Sequence, residues 1–209
     1  LNLDNKKISF CKTHYSQPTN IKSRFRLQKL KTVGFLYIYR HPLDVLLSAI
    51  NFSYYKKIDN FFLDGILRTP SQLYEAGIID QYLIDFMEKE TEIPVWKGMA
   101  GSWLENVQSW SSLQKSYRDS IIINYDSLVE NPIQTLISLN TIFPSIDKTN
   151  LIRSLEIADK LTSSKKQNSF FWKKATGNYK NYFSKNIVID FYEKYKNILL
   201  ELELDCEHY

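Results

Sequence analysis

Paired cysteines are missing from this chain: Cys11 and Cys206 are the only two in 209 residues, and they lie in unlike contexts with no framework spacing. They support neither a disulfide scaffold nor a zinc site, so a reducing compartment, the cytoplasm, is the expectation. Long apolar runs are also missing, and the opening LNLDNKK has no signal-peptide core. Neither a membrane span nor secretion is expected. Charge of one sign is scarce, since 27 basic and 23 acidic residues leave a net +4 that is spread along the chain. That balance suits one anionic cofactor better than the many phosphates of a nucleic acid. No GxxxxGKS or GxxxxGKT occurs, which argues against a kinase built on that phosphate loop.

What is present is apolar and aromatic material, 44% and 14% of the residues, enough to offset the ordering entropy of a real core. Residues 1–209 are expected to form a single domain. The most informative stretch is FLYIYRHPLDVLLSAINFSYY, residues 35–55. Phe35 to Tyr39 suits a buried parallel strand, and His41-Pro42 ends it and opens a helix. Arg40 is thereby left at the carboxyl edge of a sheet, where α/β proteins bind ligands. Asp44 and Ser48 fall on one helix face. Taken alone, the segment suits an arginine paired with a surface carboxylate and an ordinary helical serine; the other reading is a fork and a hydroxyl gripping a phosphate or sulfate.

Further along, ISFCK (8–12) reads as a strand and 20–31 as a helix with a basic face, and SQLYEAGIIDQYLIDFMEKE reads as one helix capped by Ser71. Trp103, Val107 and Trp110 share one face of a helix at 101–113. SIIIN (120–124) reads as a strand buried on both faces, and Asn131-Pro132 opens a helix through Phe143. An amphipathic helix is expected over 147–160, a polar loop over 161–168, and a last helix over about 186–203.

YIYRHPLDVLLSAINF resembles the 3′-phosphate-binding segment of the sulfotransferase family, YxxRNPKDVxxSxYHF, with Arg40 and Ser48 at the family spacing and His41 standing for Asn. Lys12, Thr13 and His14 resemble the family's KTH, which implies His14 as the catalytic base with Lys12 holding negative charge beside it. A neutral imidazole suits that task, because a hydroxyl acceptor must lose its proton during attack. GSWLENVQSW is similar to the family's GSWxxHVxxW with Asn106 for the histidine, and INYDSL to its LYYEDL, which implies Tyr125 near the adenine. SFFWKKATGNYKNYFS resembles SFxRKGxxGDWKxxFT, a loop closing over the 3′-phosphate; it implies Phe170, Lys173, Lys174 and Gly177 as cofactor contacts. Here Trp172 replaces the arginine, Lys174 the first glycine and Tyr179 the tryptophan. A lysine lacks the arginine fork and cannot stand in for a glycine that needs positive φ. Tyr54, Tyr55, Phe61 and Phe62 fall in the region where the family's acceptor pocket varies.

The resemblance implies an α/β protein: a three-layer α/β/α fold with a parallel sheet, like the P-loop nucleotide hydrolases. It further implies transfer of a sulfuryl group from 3′-phosphoadenosine 5′-phosphosulfate to a hydroxyl on a small molecule or glycan, without a metal. The family's PKSGTTW turn lies upstream of KTH, whereas eleven residues precede Lys12 and the chain opens on Leu1. The expectation is therefore an amino-terminally incomplete fold, nearly inactive as it stands. The alternative is a nucleotide-binding or scaffolding protein that keeps the fold without transfer. Ser184-Lys185 stand where the family's dimer motif would begin, so that dimer is not expected and the oligomeric state is left open.

Overall fold

The structure, a computed structural model, describes residues 34–117, 119–141, 147–164 and 175–204. The expected strand at 8–12 and basic helix at 20–31 lie outside these residues. In chain order the principal elements are β1 (Gly34–Tyr39), α1 (Pro42–Lys56), α2 (Pro70–Glu75), α3 (Ile79–Glu88), α4 (Lys97–Ala100), α5 (Trp103–Gln114), β2 (Asp119–Asn124), α6 (Tyr125–Glu130), α7 (Pro132–Ile137), α8 (Lys148–Ser164) and α9 (Lys185–Glu201). Helices joined to a parallel strand pair make the chain an α/β protein. Its contacts divide it into two units, residues 1–39 with 96–158 and residues 40–95 with 159–209.

In the first unit β1 and β2 pair in parallel, from Gly34 opposite Asp119 to Tyr39 opposite Asn124. Gly34 allows this approach, because a Cβ there would strike the Asp119 carbonyl. Phe35 and Tyr37 point to one face and meet Trp110, at centroid distances of 4.9 and 5.7 Å. Leu36 and Ile38 point to the other and are 47% and 45% exposed. In β2 only Ile123 is buried, so among the described residues this strand lacks the two covered faces expected of it. An apolar run cannot tell one covered face from two, since alternate residues face opposite ways.

α5 begins with a capping box: Ser102 Oγ accepts from Glu105 N at 3.1 Å and Glu105 Oε2 accepts from Ser102 N at 3.0 Å. Trp103, Val107 and Trp110 are buried as their spacing predicts. After β2 the chain turns at once into α6, capped by Asn124 Oδ1 accepting from Asp126 N at 2.8 Å. α7 ends at Ile137 and tightens to a 3-10 turn over Ser138–Thr141, the expected helix end at Phe143 lying outside the described residues, and α8 runs to Ser164, into the expected polar loop.

The second unit is helical. α1 buries Leu43, Leu46, Leu47 and Ile50, α3 buries Tyr82, Leu83 and Phe86, and α9 buries Val188, Phe191, Tyr195 and Leu199. Phe86 and Phe191 stack at 6.2 Å where α3 meets α9. The single helix expected from Ser71 is two helices. Thr69, not Ser71, caps the first, in a box with Gln72 and ahead of Pro70. Gly77, at φ +68°, ends it: Gly77 N donates to Tyr74 O at 2.9 Å and Ile78 N to Leu73 O at 3.1 Å.

Candidate functional site

His41 starts α1, with Nδ1 accepting the Leu43 N–H at 3.2 Å and Pro42 at the first helical position. This cap fixes the first turn of α1, directly after Arg40. The His41 ring is buried, stacks on Tyr179 at 4.3 Å and meets the Tyr192 hydroxyl through Nε2 at 2.9 Å. With Nδ1 accepting, the neutral ring carries its proton on Nε2 and donates to Tyr192. Tyr192 and Tyr179 share a further hydroxyl contact of 2.8 Å. Burial, aided by the charges of Lys180 and Arg40, pushes the imidazole pKa down to about 3, so it stays neutral near pH 7.

Arg40 reaches two groups of its own unit. Its Nη2 donates to the Ala175 carbonyl at 3.0 Å and lies 3.5 Å from Asp44 Oδ2, with 23% of the side chain exposed. The carboxylate is therefore a buried partner, not a surface one. Asp44 also accepts two amides from far along the chain, Gly177 N on Oδ2 at 2.9 Å and Tyr179 N on Oδ1 at 3.1 Å. Gly177 at φ +65° turns the loop so that both amides converge. Burial raises the Asp44 pKa, opposed by Arg40 and by the two amides.

The arrangement is an arginine at the start of the second unit, directly before the cap of α1, oriented by a buried carboxylate of that helix and by a loop from the far end of the sequence. A profile describing the sulfotransferase domain matches residues 2–202. The chain belongs to the sulfotransferase family. Its class of reaction is accordingly sulfuryl transfer. Comparison with curated proteins returned no match.

The other residues expected in this sulfotransferase's site are distributed as follows. Ser48 is exposed, one turn beyond Asp44 on α1. Gly177 directs its amide to Asp44. Tyr125 opens α6 in the first unit and is half-buried. Tyr54 is half-buried against Tyr55, which is 41% exposed. Phe61 and Phe62 are buried and pack on Tyr82. Lys12, His14, Phe170, Lys173 and Lys174 lie outside the described residues. Among the described residues no helix is long and apolar enough to cross a membrane, and no group of acidic, histidine or cysteine side chains could hold a metal.

Asn106, the replacement for the family's histidine, has a local task. Its Oδ1 accepts from the Tyr37 hydroxyl at 2.9 Å and its Nδ2 donates to Ala100 O at 2.9 Å. Burial pushes the Tyr37 hydroxyl pKa up, with Tyr39 adding to it, so Tyr37 remains a donor. The role of Asp44 was the residue-level feature that sequence reasoning missed. Its signal was a carboxylate at the third helical position directly after an arginine and a capping residue, but its amide partners leave no mark on side-chain identity.

Proposed function

We propose that this sulfotransferase takes 3′-phosphoadenosine 5′-phosphosulfate as donor and a hydroxyl of a small molecule or glycan as acceptor, in the cytoplasm. The observation that carries the reading is Arg40, whose fork is oriented by the Asp44 carboxylate and the Ala175 carbonyl while 23% of the side chain stays open. A planar guanidinium at a strand's carboxyl end fits a phosphate, and the exposed Ser48 hydroxyl on the same helix adds a donor. These groups fit the 3′-phosphate.

Bound, the donor supplies the sulfuryl group and a phosphate that departs with the electrons of the broken S–O bond. In this reading Arg40 and Ser48 bind and orient, Tyr125 lies beside the adenine, and Phe170, Lys173, Lys174 and Gly177 belong to the covering loop. His14 removes the acceptor's hydroxyl proton, and Lys12 steadies negative charge near it. Of the four aromatics assigned to the acceptor, Tyr55 at 41% exposure is the most accessible, whereas Phe61 and Phe62 are buried against Tyr82.

The test is incubation of the full-length protein, including any segment that carries the 5′-phosphosulfate turn, with sulfur-labelled donor and a panel of phenol, steroid, sugar and glycolipid acceptors. Label on any acceptor supports the reading. Nucleotide binding without transfer to any of them would favour the non-catalytic alternative.

A further inference from the structure

Asp44 cannot itself hold an anion, being buried to 1% exposure and of the wrong charge, yet both of its oxygens are engaged. Its two oxygens are divided between Gly177 N and Tyr179 N, and Oδ2 also faces Arg40 Nη2 at 3.5 Å. The loop returns the link, since the Ala175 carbonyl accepts from the same Nη2 at 3.0 Å. Arginine, carboxylate and loop thus close a ring of contacts. The concavity that converging amides make is a natural place for an anion, and here a carboxylate of the chain fills it. Those amides are therefore not left for a ligand. By Coulomb attraction alone, a carboxylate this near Arg40 would weaken the guanidinium's hold on phosphate, so its benefit must come from orientation.

We propose that Asp44 is a positioning residue that joins the Arg40 guanidinium to the 175–179 loop, so that a phosphate bound by Arg40 tightens the loop as well. The inference rests on the reading of Arg40 as a phosphate-binding group. Two features make it specific. Only a carboxylate presents acceptors to both amides and to the guanidinium; asparagine would turn its NH2 toward one of them. The loop must also take left-handed φ at Gly177 for the two amides to reach one side chain.

The experiment measures adenosine 3′,5′-bisphosphate binding by calorimetry for the unsubstituted protein, Asp44→Asn, Arg40→Ala and the double variant, with thermal unfolding of each. Asp44→Asn is expected to weaken binding by about tenfold or more, although it makes the site more positive, and to add little once Arg40 is alanine. Binding that is unchanged or tighter in Asp44→Asn overturns the proposal, as does an undiminished loss in the Arg40→Ala background, which marks a general structural role. Should Asp44→Asn fail to fold, amide exchange of the unsubstituted protein decides: the bisphosphate is expected to slow Gly177 and Tyr179, and unaltered exchange despite binding overturns the proposal. Equal affinity of Arg40→Ala and the unsubstituted protein instead defeats the phosphate reading itself, and the proposal with it.

Discussion

His41 and Tyr179 lie ring on ring, 4.3 Å between centroids and 6° from parallel, and these are two of the positions at which the chain departs from the sulfotransferase pattern. The departures answer one another. His41 still caps α1 as the family's asparagine would, through Nδ1, and its ring supplies a flat face for Tyr179. Tyr192 completes the cluster by meeting both, at 2.9 Å from Nε2 and 2.8 Å from the Tyr179 hydroxyl. The consequence is a loop pinned twice, by its ring on His41 and by its amides on Asp44.

Replacing His41 with alanine should therefore destabilise the fold by about 2 to 4 kcal/mol, combining a lost cap, a lost hydrogen bond to Tyr192 and a cavity. Denaturant unfolding measures it. Asparagine at the same position should keep the cap and cost less than alanine; equal losses would separate capping from the stability of this end of α1.

His41 also predicts how stability depends on pH. Its folded pKa, pushed down to about 3, lies below the ordinary 6.5, so the unfolded chain takes up a proton between these values that the folded chain does not. Stability is thus full above the ordinary value and falls as the pH drops toward the folded one. Between about pH 6 and pH 5 the folding equilibrium should weaken by up to tenfold from this group. Unfolding curves for the protein and His41→Asn should converge as the pH falls through that interval, and a constant gap would refute the assignment.

Much of this was readable from residue types, and the rest was not for identifiable reasons. The strand, proline and helix around Arg40 announced themselves through local chemistry, as did the buried face of Trp103, Val107 and Trp110. The break at Gly77 was hidden because Leu73, Tyr82 and Phe86 are buried on both sides of it and maintain a helix-like rhythm across two helices. Spacing puts Asp44 on one helix face with Ser48, but its amide partners are separated from it by 133 and 135 residues. A backbone N–H carries no sequence signature, so such a bond becomes visible only in the fold.

In the first unit, Asn106→Ala should strand the Tyr37 hydroxyl and cost about 1 to 3 kcal/mol. Combining it with Tyr37→Phe should cost less than the two separate losses together, because the second change removes the stranded group. A thermodynamic cycle from urea unfolding reads the coupling, and strict additivity would show that the 2.9 Å contact contributes nothing of its own.

In the full-length protein, His14→Ala should leave adenosine 3′,5′-bisphosphate affinity intact and lower turnover by about a hundredfold or more, as removal of a general base does. Binding and rate are measured separately. A parallel fall in both would make His14 a donor-binding residue.

The central claim is that Arg40, held by Asp44 at the end of β1, grips a phosphate of the sulfuryl donor. Calorimetric titration of adenosine 3′,5′-bisphosphate into the protein and into Arg40→Ala tests it most directly, with circular dichroism to verify that the variant is folded. Loss of a charged hydrogen-bonding group predicts binding weaker by roughly ten- to a hundredfold. A folded Arg40→Ala protein that binds the bisphosphate as tightly as the original would contradict the account.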